Sequence, residues 1–146
     1  MTLEEQLVRD EGERLEAYQD SLGWWTIGVG HLIDPRKGCA APMPESCTPE
    51  QSRAWLAEDV AKAKAALAAA LPWTADLDEV RNEALVMISF ILGAEGMVKD
   101  IPFTLAMIHE GKYERAARAL GLSTLAKEDG PRIQRIAQQI RTGVRV

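Results

Sequence analysis

Glu11 and Asp20 are two carboxyl groups whose predicted surroundings differ. Glu11 follows Leu7 by four residues and Val8 by three, so a helix through this segment puts its carboxyl on the buried stripe. Burial removes hydration and favours the protonated form, whereas a turn exposes Asp20 to solvent and to backbone donors, which favour the ionised form. A protonated carboxyl beside an ionised one is the acid and base pair of glycoside hydrolysis.

Each of these residues taken alone has a simpler explanation. A glutamate at the end of a helix is commonly just solvated, and an aspartate in a turn commonly supplies turn chemistry. It is the combination of the two that indicates catalysis.

Local signals predict the elements that carry the pair. Thr2 and Glu5 form a capping-box pattern that begins a short helix, and Gly12 ends it. Residues from Trp25 to His31 alternate with a period of two after the turn residues 20–23, which predicts a hairpin. Residues 32–47 are rich in proline and are predicted to be a loop or a short edge strand.

The rest of the chain is predicted to be helical. Thr48 begins a second capping box, and an alanine-rich helix runs from it to Leu71, before Pro72. Asp78 can cap a central, almost wholly apolar helix. Further helices are predicted over 103–110, 113–120 and 131–141.

The predicted fold class is α+β, with a small hairpin-bearing N-terminal lobe and a helical C-terminal lobe joined by a long helix. Residues 1–146 form one domain, in which 12–48 are the strand-bearing lobe and 49–71 the bridging helix. Residues 72–146, together with helix 1–11, form the helical lobe. The length of 146 residues and the hydrophobic fraction of 47% suit a single core.

The spacing of Glu11, Asp20 and Thr26 resembles the catalytic signature of the T-even-type phage lysozymes. The resemblance extends over nearly the whole chain. The segments that carry it are Asp10-Glu11-Gly12, Tyr18-Gln19-Asp20, Thr26-Ile27-Gly28-Val29-Gly30-His31, Thr48 through Val60, Phe90-Ile91-Leu92-Gly93, Phe103-Thr104-Leu105, Gly111-Lys112-Tyr113, Ala116-Ala117, Arg132, Arg135 and Arg141-Thr142-Gly143.

This resemblance implies a lysozyme-like fold and a muramidase. The enzyme would cleave the β-1,4 bond between N-acetylmuramic acid and N-acetylglucosamine in bacterial peptidoglycan. Glu11 would protonate the leaving oxygen, while Asp20 would orient and deprotonate a water also held by Thr26, with inversion at the anomeric carbon.

The resemblance also implies supporting residues. His31 and Asp59 would form a structural ion pair. No cofactor or metal is expected. The substrate-binding residues would be Gly30, Leu32, Phe90 and Thr104. Two departures from the family pattern are Ile91, where relatives carry Asn or Gln, and Arg145, in place of a C-terminal tryptophan.

Two alternatives stay open. A lytic transglycosylase needs only the acid and leaves an anhydro product, although Asp20 and Thr26 argue against it. A wall-binding module that kept the fold and lost activity is the second alternative, because fold does not determine function.

Cys39 and Cys47 enclose a short proline-containing loop. Free thiols, a loop-closing disulfide formed after export, and a partial zinc site with His31 are all compatible with the spacing. A fourth zinc ligand is missing, and two cysteines do not make a disulfide framework.

The formal charge of −5 argues against a nucleic-acid partner, because phosphate binding needs clustered cations. Residues 101–146 nevertheless carry 8 basic against 4 acidic side chains, so an anionic wall is expected to meet this end first. No apolar run predicts a membrane anchor, and a monomer is expected. Without a recognisable signal peptide, the protein is expected to be made in the host cytoplasm and to act in the periplasm or cell wall.

Overall fold

A computed structural model describes residues 1–33 and 44–146. The first helix, α1, covers Leu3–Glu11 and begins at the predicted capping box. The Glu5 amide donates to Thr2 Oγ1 at 3.1 Å, and the Thr2 amide donates to Glu5 Oε2 at 2.7 Å. Gly12 is the C-cap, so both predicted ends of this helix are confirmed.

Three antiparallel strands form one sheet in the order β1-β2-β3. They are β1 (Arg14–Gln19), β2 (Trp25–Gly28) and β3 (His31–Leu32). The predicted hairpin is present, but the alternating run from Trp25 to His31 does not form one strand. Gly28 and Gly30 have φ angles of +65° and +64°, a conformation that suits glycine, and the chain reverses there.

Residues 44–47 run beside β1. The Ala17 amide donates to the Glu45 carbonyl at 2.8 Å, and the Cys47 amide donates to the Leu15 carbonyl at 2.8 Å. This part of the proline-rich segment therefore completes backbone hydrogen bonds of β1.

The predicted long helix is α2 (Pro49–Ala70). Its first turn is capped at Thr48, whose Oγ1 accepts from the Gln51 amide at 3.1 Å. Leu56, Val60 and Leu67 form its buried stripe. After α2, Pro72–Asp76 forms a short 3-10 helix.

The next helix, α3 (Glu79–Asp100), is capped by Asp78 as predicted. Every residue from Glu83 to Ile88 is buried, as expected for a helix covered on several sides. Gly93 interrupts α3, because its backbone is not helical there, with φ +70° and ψ +164°. The helices that follow are α4 (Pro102–His109), α5 (Tyr113–Gly121), α6 (Thr124–Glu128) and α7 (Gly130–Thr142). Of these, α6 was not predicted.

The described part of the chain thus has the predicted α+β fold, with seven α-helices and one small antiparallel sheet. Contacts group it into an N-terminal unit, Thr2–Ala61, and a C-terminal unit, Lys62–Val146, which also takes in Met1. The N-terminal unit includes α1, the sheet and the start of α2. The assignment of α1 to the helical lobe rests on the sequence and stays a prediction.

Candidate active site

The three proposed catalytic residues all belong to the N-terminal unit. Glu11 is the last residue of α1 and is half-buried. Its side chain lies over the backbone of Gly30: a Cβ atom at Gly30 would be 3.4 Å from Glu11 Oε2 and 3.6 Å from Cγ. The turn between β2 and β3 therefore packs against the Glu11 carboxyl.

Asp20 lies at the hairpin turn, where backbone amides fix its carboxylate. Its Oδ1 accepts hydrogen bonds from the amides of Leu22 and Trp24, both at 2.9 Å. No donor within residues 1–33 and 44–146 bonds to the second oxygen, Oδ2. One oxygen thus orients the group, and the other can bind a ligand.

Thr26 is buried on β2, and its hydroxyl proton is already committed. Oγ1 donates to the Trp24 carbonyl at 3.1 Å, so its lone pairs are left to accept. The peptide groups of Trp24 therefore hold two candidate residues, because its amide bonds Asp20 and its carbonyl bonds Thr26.

The charges of both carboxyl groups affect the pKa of the Tyr18 phenol. Burial raises the pKa of Tyr18 above its ordinary value of 10.0; the charge of Arg14 lowers it, and the charges of Glu11 and Asp20 raise it further. Both carboxyl groups therefore lie within electrostatic range of one side chain. Tyr18 belongs to the Tyr18-Gln19-Asp20 motif, but its residue type and spacing indicate no role. Its position two residues before Asp20, on the predicted hairpin, was the available signal.

His31 and Asp59 lie together, as the resemblance implied. His31 Nδ1 is 2.8 Å from Asp59 Oδ2, which ties β3 to α2. The His31 ring also stacks on Trp55, with centroids 4.8 Å apart and planes 3° from parallel. Trp55 was not predicted, although it lies one helical turn before Asp59 on the same face of α2.

The sequence also did not reveal a second contact, which joins the residue before β1 to α2. Ser52 Oγ donates to Glu13 Oε2 at 2.8 Å, and Arg53 Nε donates to the same oxygen at 2.9 Å. These two hydrogen bonds hold the pKa of Glu13 below its ordinary value of 4.5, and the bond from Arg53 has the larger effect. Gly28 leaves the room that Ser52 occupies, since a Cβ there would be 2.9 Å from Ser52 Oγ.

The four residues proposed to bind substrate differ in exposure. Gly30 is exposed beside Glu11, and Leu32 on β3 is 47% exposed. Phe90 on α3 is half-buried. Thr104 on α4 is only 2% exposed, so its side chain offers little surface to a sugar.

Arginines of the C-terminal segment form ion pairs within their own unit. Arg145 Nε donates to the buried Glu83 at 2.7 Å, and Arg141 Nε lies 2.9 Å from Glu114. These pairs offset part of the positive charge of residues 101–146. Steering by this segment stays a prediction.

Among the described residues, no group of three or more metal-ligating side chains is arranged to hold an ion. Cys39 lies outside them, so a disulfide or zinc site with Cys47 does too. Burial, followed by the charge of Glu13, raises the pKa of the Cys47 thiol. No helix in the described ranges has the length and apolar character to cross a membrane.

Comparison with known proteins matches residues 8–139 to the phage lysozyme family. The chain is 26% identical to probable T4-type lysozyme 1 of Dictyostelium discoideum, over 97% of this chain and 95% of the relative. It is 32% identical to the endolysin of Salmonella phage P22, over 84% and 81% respectively. It is also 30% identical to the pre-baseplate central spike protein Gp5 of Enterobacteria phage T4, over 98% of this chain but 28% of that protein.

Proposed function

The chain belongs to the phage lysozyme family, and from this premise we propose that it is a muramidase. It would hydrolyse the β-1,4 bond between N-acetylmuramic acid and N-acetylglucosamine of peptidoglycan, with inversion, in bacterial cell lysis. The observation that carries the proposal is the arrangement about Trp24. Its amide orients Asp20, its carbonyl orients Thr26, and each of these side chains keeps an oxygen that can accept a hydrogen bond.

In this proposal Glu11 is the general acid. It lies at the end of a helix whose first turn is capped, and the Gly30 backbone supports its side chain from below. A positioned acid of this kind protonates the leaving oxygen as the glycosidic bond breaks. The contact with Gly30 helps hold the carboxyl in place for that transfer.

Asp20 and Thr26 would orient the attacking water. Because the Thr26 hydroxyl donates to the Trp24 carbonyl, it can only accept from that water. Asp20 Oδ2 would accept the second water proton. Both hydrogens of the water are then used, so an oxygen lone pair faces the anomeric carbon and Asp20 takes the proton released on attack.

The stereochemical outcome depends on the separation of the two carboxyl groups. Inverting enzymes hold them about 6.5–9.5 Å apart to admit a water, whereas about 5–5.5 Å suits a covalent intermediate. We propose the wider arrangement. Proton NMR of the first-formed anomer tests it directly, and retention of configuration would refute the water-mediated step.

The experiment that tests the activity is loss of turbidity of outer-membrane-stripped cells. Glu11→Gln, Asp20→Asn and Thr26→Val are each expected to fold and to lose activity, the first two by at least about 10²-fold, as for removal of a general acid or base. Glu16→Gln is the matched control, because Glu16 is an exposed carboxylate on the same unit. It is expected to keep the wild-type rate. A folded Glu11→Gln variant with wild-type activity would refute the proposal.

Product analysis separates the two alternatives. A hydrolase leaves a reducing muramic acid end, whereas a lytic transglycosylase leaves an anhydro end with the mass of one water less. A wall-binding module without activity would pellet with cell walls and release no fragment. The paired Asp20 and Thr26 favour hydrolysis, because they offer two acceptors for one water.

Leu32 and Phe90 are proposed sugar contacts, because each presents apolar surface. Gly30 would admit sugar close to Glu11. The natural partner would be bacterial peptidoglycan, met by a monomer without nucleic acid or membrane anchor. We propose action at the periplasm or wall after synthesis in the host cytoplasm.

A further inference from the structure

Tyr18 lies opposite Thr26 in the sheet. Their Cα atoms are register partners between β1 and β2. Directly opposed residues of an antiparallel pair point to the same face, with Cβ atoms about 4.5–5.5 Å apart. Tyr18 therefore lies on the face that carries the residue proposed to hold the water.

The Tyr18 ring is held in place from one side. The guanidinium carbon of Arg14 lies 4.0 Å from the ring centroid, a cation–π contact. This contact involves the face of the ring and not the hydroxyl group at its end. Removal of the hydroxyl alone should therefore leave the ring where it is.

The Tyr18 hydroxyl has no internal role in the part of the chain that the structure describes. No residue in 1–33 or 44–146 hydrogen-bonds to it. Burial and the charges of Glu11 and Asp20 outweigh Arg14 and raise its pKa, so it stays a neutral donor over the working pH range. A neutral hydroxyl donor suits the hydroxyl, ring and acetamido oxygens of a sugar.

We propose that Tyr18 is a further substrate-contacting residue, whose hydroxyl donates a hydrogen bond to an oxygen of the saccharide bound beside Glu11 and Asp20. The proposal rests on the proposed function, because it takes a wall saccharide as the ligand. It assigns a contact on β1, whereas the sequence-derived sugar contacts lie in the turn before β3 and on β3, α3 and α4.

Tyr18→Phe tests the contact, since it removes one oxygen and keeps the ring over which Arg14 lies. We expect kcat/KM on solubilised peptidoglycan to fall about 3- to 10-fold, as for one neutral hydrogen bond, with the unfolding midpoint unchanged. Tyr113→Phe is the matched control. Arg81 lies 3.8 Å from the Tyr113 ring centroid in the C-terminal unit, and this variant should keep the wild-type rate.

A second readout follows the contact itself. The chain has two tyrosines, so Tyr113→Phe leaves Tyr18 as the one tyrosine signal. In Glu11→Gln/Tyr113→Phe protein labelled with ¹³C at tyrosine Cζ, titration with an N-acetylglucosamine tetramer should shift that resonance saturably. A merely structural tyrosine would not respond.

The outcomes separate this proposal from the function on which it rests. A Tyr18→Phe rate within two-fold of wild type overturns the contact, even where Glu11→Gln is inactive and the muramidase proposal stands. A reduced rate with an unmoved Cζ resonance also overturns it, because the effect would then pass through neighbouring residues. An active Glu11→Gln enzyme refutes the acid role, and the Cζ titration still decides whether Tyr18 meets sugar.

Discussion

Three glycines with nearly the same backbone conformation differ in what an added methyl group would meet. Gly28, Gly30 and Gly111 have φ angles of +65°, +64° and +76°. A Cβ at Gly111 meets no atom within 4 Å, whereas at Gly28 it meets Ser52 and at Gly30 it meets Glu11. Alanine at each position therefore adds the same backbone strain to three different surroundings.

The expected losses follow from these distances. Gly111→Ala should lower the free energy of unfolding by about 1–2 kcal/mol, the cost of left-handed backbone for an L-residue. Gly28→Ala adds overpacking, since its Cβ would lie 2.9 Å from Ser52 Oγ and 3.5 Å from Ser52 Cα. Because the helix backbone cannot easily withdraw, the total should reach about 2–5 kcal/mol.

Gly30→Ala separates stability from activity. Its Cβ would just touch the Glu11 carboxyl, so the stability loss should match that of Gly111→Ala. The rate should fall by about 10-fold, because the added methyl group fills the space beside the Glu11 carboxyl through which Gly30 would admit sugar, and a misplaced reacting group costs up to about 10²-fold.

Urea unfolding followed by fluorescence of the four tryptophans measures stability, and turbidity loss under conditions where every variant is folded measures activity. Equal stability losses for Gly28→Ala and Gly111→Ala would refute the steric role of Ser52. Full activity in Gly30→Ala would refute the supporting role of Gly30 beneath Glu11.

Two further predictions concern ion pairs. The pKa of Glu13 is lowered in the folded protein, so its bond to Arg53 stabilises the fold above the ordinary value of 4.5 and that stabilisation is lost as pH falls. Glu13→Gln should therefore flatten the decline of urea-measured stability between about pH 5 and pH 3, and an unchanged slope would contradict the assignment. Arg145→Met should lower the thermal unfolding midpoint more than Arg141→Met does. The first variant leaves the buried Glu83 without its ion-pair partner, whereas Arg141 pairs with Glu114 at the surface. Equal shifts would show that burial of Glu83 does not matter.

Elements with local start and stop signals could be predicted from the sequence. α1 and α2 begin at threonine caps, and Gly12 and Pro72 mark where they end. The period of two from Trp25 to His31 did not predict the end of β2. Gly28 and Gly30 keep that period in the sequence, yet the chain reverses at them. The short helix α6 carries no periodic signal over its five residues.

The candidate site was partly predictable for the same physical reason. Side-chain types and spacing nominated Glu11, Asp20 and Thr26. The groups that orient them are backbone amides and carbonyls, which every residue type carries and no spacing reveals. Contacts across 39 residues, such as Ser52 with Glu13, are equally invisible to local patterns.

Because the main chain of Trp24 orients Asp20 and Thr26, their orientation does not depend on the side chain at position 24. Only proline there would remove the amide on which Asp20 depends. Any other residue at position 24 keeps the amide and the carbonyl that bond to Asp20 and Thr26. Under the proposed function, a change of side chain at the tip of this hairpin leaves the orientation of the two proposed catalytic residues unchanged.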